Sequence, residues 1–160
     1  MSLGRWGLGF LAAGMLIAGA TIMAVGMTRV FVPQDLAFMG MTPSDLRKVS
    51  ARLVPVIAHD RAGFGGGLFS TGIILLLLTR HARLSRSFIQ AVAIMGLTGF
   101  GAAISVHPAI GYTDFSHLAP AYLGAAVFAA TLLRLRREYT VELKAMPRPQ
   151  FNARATFTRE

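Results

Sequence analysis

The chain contains no cysteine, which removes disulfides, thiolate metal sites and cysteine nucleophiles together. Charge is also scarce: 14% of the residues are charged, against roughly 25% in ordinary soluble domains. Acidic side chains number only 7. With 54% hydrophobic residues in a chain of 160, a soluble fold would have too little interior for its apolar side chains. A bilayer removes that difficulty. The net charge of +9 would suggest nucleic acid if it covered a soluble surface. Here it gathers near the ends of hydrophobic runs and after residue 133, the pattern of membrane topology and lipid-headgroup contact.

Four runs predict membrane spans, at about 6–28, 57–79, 87–106 and 115–133. The first carries no charge between Arg5 and Arg29. That is roughly 34 Å of helix, enough for a hydrocarbon core of about 30 Å. Although Arg5 and Ala18-Gly19-Ala20 imitate a secretory signal, the apolar run exceeds the roughly 7–15 residues of a signal core. It reads as an uncleaved anchor. The predicted fold is therefore an all-α four-helix membrane bundle over 1–137, followed by a basic polar cytoplasmic tail over 138–160.

Orientation follows from lysine and arginine. With the N-terminus inside, Arg29, Arg47, Lys48, Arg52 and Arg61 lie outside, leaving 11 of the 16 basic residues inside. The sharpest contrast is between Arg80-His81-Ala82-Arg83-Leu84-Ser85-Arg86 and a second outer loop without Lys or Arg. Both termini are thus placed inside. In the first outer loop, Thr42-Pro43-Ser44-Asp45 reads as a helix start: a threonine cap, proline at the first position and an acid at the third. Leu46, Val49 and Leu53 then predict a short amphipathic helix, on the membrane surface or packed over the end of the bundle.

In lipid, helices associate by close packing, which small residues permit. Gly63 and Gly67 form a GxxxG pair, and Gly99 and Ala103 repeat the spacing in the third span. These four are the predicted packing positions. The glycine run is not a phosphate loop, because no Gly-Lys-Ser/Thr follows it.

Polar residues near the outer boundary are the candidates for function, since charge at that depth is costly unless paired or wetted. His59, Asp60 and Arg61 would occupy the first turns of a helix beginning near Pro55. His107 and His117 fall at the same end, with Asp35 and Asp114 nearby. Imidazoles ligate zinc, copper and haem iron, yet the spacings match no metal motif, and a histidine beside a turn often bonds the backbone. A quinone pocket is the other possibility, with His59, Tyr112, Phe64 and Phe115 able to supply polar groups and aromatic walls. Trp6 and Tyr139 read as anchors at the inner interface.

Two segments carry a resemblance: Pro33-Gln34-Asp35-Leu36-Ala37-Phe38-Met39-Gly40 and His59-Asp60-Arg61-Ala62-Gly63-Phe64-Gly65-Gly66. They resemble a family of bacterial multi-span inner-membrane proteins of uncharacterised function, with P-x-D-x-x-[FY]-[ML]-G and H-D-R-x-x-[FG]-G-G segments. Some relatives are labelled as associated with dihydroorotate dehydrogenase. The resemblance implies an outer-face element built from Asp35, Gly40, His59, Asp60, Arg61 and the glycines, in a multi-pass protein of the bacterial inner (plasma) membrane. It implies no activity, and four spans leave no room for a flavin-binding barrel. Relatives often have histidine where Gln34 stands.

The sequence thus points to a small non-catalytic integral membrane protein, an accessory or structural subunit. Its partners would be lipids, other membrane proteins or further copies of itself. The alternative is a redox-associated protein holding quinone, haem or a metal at its outer end, with His59 and Asp60 as first candidates. Neither catalytic residues nor a metal-ligand set can be assigned from the sequence.

Overall fold

The computed structural model describes residues 2–145, and everything in them is helix or short connection. Four helices are long and apolar enough to cross a membrane: α1 (Leu3–Met27), α4 (Leu53–His81), α5 (Arg86–Ile110) and α6 (Phe115–Ala145). Two short helices, α2 (Pro33–Met39) and α3 (Pro43–Val49), fill the connection between α1 and α4. At most 22% of the residues in any of the four apolar stretches are buried inside the protein. Most apolar side chains therefore face outward, an arrangement that requires an apolar solvent.

The helices are closest in the spatial order α4, α1, α6, α5, and glycine sets each contact. Along the antiparallel α1–α4 seam, Gly19 lies against the backbone of Gly65 and Phe69, Gly26 against Ala62, and Gly72 against Ala12 and Leu16. Ala12, Gly19 and Gly26 recur every seven residues, as do Gly65, Gly72 and Thr79 on α4. A seven-residue repeat keeps one seam aligned along two supercoiled helices. The α5–α6 contact works differently. The Phe128 ring covers Gly96, the Phe100 ring covers Gly124, and the two rings lie 5.7 Å apart. Each helix thus offers a Gly-x-x-x-Phe pair whose phenylalanine enters the other's glycine socket.

Of the predicted packing positions, Gly63, Gly67 and Gly99 have open space where a side chain would be, and Ala103 is half-buried. GxxxG spacing picks out a face of α4 that meets no other described helix, because at 100° per residue Gly63 and Gly65 lie on opposite sides of the helix.

The first part of the expected polar tail is helical. Helix α6 continues through residues 138–145, while 146–160 lie outside the described residues. Glu138 accounts for part of this extension: its carboxylate accepts from the Gly4 amide at 2.9 Å and the Ser2 hydroxyl at 2.7 Å. It caps the N-terminus of α1, where free amides and the helix dipole favour an acid. In the complementary contact, Arg5 donates to the carbonyls of Thr79 and Ala82 at 2.5 and 2.6 Å, compensating the C-terminus of α4. Trp6 is exposed as an interfacial anchor would be, whereas Tyr139 packs against the core.

Candidate functional site

At the opposite end, polar and aromatic groups from four helices and a turn converge. Pro33 starts α2 and puts Asp35 at its third position, where the carboxylate accepts from the Val32 amide at 3.0 Å. The same carboxylate receives Arg61 of α4 at 2.8 Å and the Tyr112 hydroxyl, from the α5–α6 turn, at 3.1 Å. Asp35 and Tyr112 are both buried. Burial alone would raise the Asp35 carboxyl, but the Val32 amide, the Arg61 guanidinium and the Tyr112 hydroxyl outweigh it and hold Asp35 below its usual range. Burial, with the neighbouring Asp35 charge, pushes the Tyr112 phenol up to about 12, so it remains a proton donor at neutral pH.

Tyr112 is also the middle of a ring stack. Phe38 lies on one side at 4.6 Å and His117 stacks on it at 4.7 Å. The His107 ring is tilted against both Tyr112 and His117, at 5.6 and 5.4 Å. His107 Nδ1 bonds the Ala103 carbonyl at 2.7 Å, which fixes a donor at Nδ1 and leaves Nε2 free.

Asp114 caps α6: its Oδ1 accepts from the His117 amide at 2.8 Å and from the Ser116 hydroxyl. Those bonds hold its carboxyl below the usual range. An open cavity of about 450 Å³ lies between Pro33, Gln34, Phe38, Tyr112, Thr113 and Asp114. A smaller one of about 230 Å³ lies on the Arg61 side.

The structure therefore joins Asp35, Arg61, His107 and His117 through Tyr112, with Asp114 at the edge. His59 and Asp60 are not part of the cluster. Their side chains are 88% and 75% exposed and bond each other at 3.2 Å. The aromatic wall is Phe38, itself half-exposed, whereas Phe64 and Phe115 are exposed and stack on none of these rings. No group of three or more metal-ligating side chains lies together among the described residues.

The first loop is also more structured than predicted. The capping box at Thr42 and Asp45 forms as expected, and Leu46 is buried. Val49, however, is exposed, and Leu53 already belongs to α4. The start of helix α2 repeats the α3 pattern, proline first and aspartate third, with Gly40 closing it at φ +60°.

No family model, curated protein or solved structure matches this chain. Its chemistry must be argued from the geometry. Asp35 ties α2 to α4 and to the α5–α6 turn, and every buried side-chain polar atom among the described residues has a partner. Such an arrangement fixes the position of the loop.

Proposed function

We propose that the protein is a non-catalytic membrane subunit that crosses the bilayer four times, with both ends inside, and binds partner membrane proteins through an exposed helix face. The carrying observation is the contrast between glycines of one helix. Gly65 and Gly72 touch neighbouring backbone, whereas Gly63, Gly66 and Gly67 have nothing within 4 Å. Glycine inside a helix costs about 1 kcal/mol relative to alanine. At Gly65 and Gly72 close packing offsets that cost; at Gly63, Gly66 and Gly67 nothing among the described residues does. A partner helix approaching closely over Gly63 and Gly67 would supply it.

The test is gentle extraction of the tagged protein from its own membranes, followed by native mass spectrometry. The expected result is stoichiometric co-extraction of another chain, or a doubled mass, lost in Gly63→Ile/Gly67→Ile while helicity and the unfolding midpoint persist. A wild-type chain that is always extracted alone would overturn the proposal.

A second reading is favoured by the cavity beside the Phe38–Tyr112–His117 stack: a flat ring ligand such as a quinone held at this end. It calls for added ligand mass in the native protein that disappears in His117→Ala and persists in His59→Ala.

A further inference from the structure

The end of the bundle formed by the α4–α5 connection carries positive charge with no internal use. Cations in the last turn of a helix ordinarily serve its free carbonyls. For α4 that role is taken by Arg5, whose guanidinium bonds Thr79 and Ala82. Arg80, Arg83 and Arg86 are exposed instead, and none makes a side-chain hydrogen bond or ion pair with another described residue. The N-terminus of α5, capped by Ser85 at the Phe88 amide, adds the positive end of a dipole rather than a counter-charge.

The same holds on α6. Arg134, Arg136 and Arg137 are exposed and unpaired among the described residues. Glu138, the carboxylate beside them, is engaged at the start of α1. Glu142 stands a further turn along α6, away from the apolar stretch. Exposed Trp6 (64%) marks this same end as an interface.

We infer that Arg80, Arg83 and Arg86 form a docking surface for the phosphates of acidic phospholipid headgroups. The level of the residues decides between partners. The arginines sit where apolar helices end, so a phosphate attached to acyl chains meets them together with the exposed leucines Leu77 and Leu78 of α4. A soluble anion would gain the charge contact alone. Each arginine at an acidic membrane surface favours association by about fivefold, an effect that falls as salt rises. The inference rests on the membrane-spanning part of the proposed function, not on any protein partner.

The test uses the full chain in mixed micelles with palmitoyl-oleoyl phosphatidylglycerol or the corresponding phosphatidylcholine, read as lipid retained in native mass spectra. Phosphatidylglycerol should be retained about tenfold or more over phosphatidylcholine. Arg83→Gln/Arg86→Gln should lose most of that preference, and Arg47→Gln/Arg52→Gln, at the other end, should keep it. Equal retention of the two lipids, or equal loss in both variants, would overturn the inference. So would release of phosphatidylglycerol by millimolar inorganic phosphate at constant ionic strength, which would indicate a free-anion site. Flotation of the same sample with phosphatidylcholine vesicles reports separately on membrane insertion, so failure to span a bilayer is distinguishable from failure to prefer acidic lipid.

Discussion

Adding one methyl group at Gly19 should separate two helices, while adding it at Gly63 should do nothing harmful. A Cβ at Gly19 would stand 2.5 Å from the Phe69 nitrogen and 2.7 Å from the Gly65 oxygen, whereas ordinary contact begins near 3.4 Å. Both obstructing atoms are backbone, so no rotamer change relieves the clash. Helices α1 and α4 must move apart by about 1 Å. A gap of that size forfeits roughly a quarter to a half of each facing contact, and overpacking of this kind costs about 1–3 kcal/mol. The better helix propensity of alanine returns at most about 1 kcal/mol. Gly63→Ala receives that gain without a clash, so the two variants should differ by about 2 kcal/mol. Reversible unfolding in mixed micelles, followed by helical circular dichroism against the mole fraction of dodecyl sulfate, measures the difference. Midpoints for Gly19→Ala and Gly63→Ala that agree within error would refute the packing argument.

Four further outcomes are expected. Asp35→Asn leaves the half-buried Arg61 without a counter-charge and should cost about 2 kcal/mol, seen as faster proteolysis between α2 and α4. Because the folded Asp35 carboxyl lies below its ordinary value, its contribution is complete at neutral pH and is lost as pH falls below about 4. Wild-type protection of that loop should therefore fade on acidification, while Asp35→Asn stays unprotected throughout. Val30 holds a φ of +65°, which costs a side-chain-bearing residue roughly 1–2 kcal/mol; Val30→Gly should raise the unfolding midpoint and Val30→Ile should not. Arg5→Gln and Glu138→Gln should each cost about 1 kcal/mol as lost helix-end contacts, read as lower unfolding midpoints, and a double-mutant cycle should find them coupled, since Ser2 bonds both the Arg5 amide and Glu138.

What the sequence disclosed depended on range. The four long helices follow from local hydropathy, and the structure extends them where no local signal sets the limit. Helix α6 runs past Arg134 because Glu138 finds its partner at Gly4, a contact 134 residues apart. The α1–α4 seam was legible in principle, as a seven-residue spacing of Ala12, Gly19 and Gly26. It was hidden by four glycines among residues 63–67, which satisfy several periods at once. At the candidate site, chain topology alone places Asp35, Arg61, His107, His117 and Asp114 at one end. Tyr112 is legible too, as a candidate for an aromatic pocket, whereas Phe38, which stacks on it, carries no pattern that would announce its place. His59 and Asp60 stood out as sequence neighbours of Arg61, but a helix turns consecutive residues 100° apart.

The two contacts at the other end of the bundle impose an order on biogenesis. Arg5 is synthesised well before its carbonyl partners, Thr79 and Ala82. The first turn of α1 waits still longer, until residue 138, for its carboxylate. A nascent chain stopped after α4 would satisfy the arginine but leave that turn uncapped. Helix α6 therefore completes α1, and a chain stopped before residue 138 leaves the amide of Gly4 and the hydroxyl of Ser2 without their carboxylate.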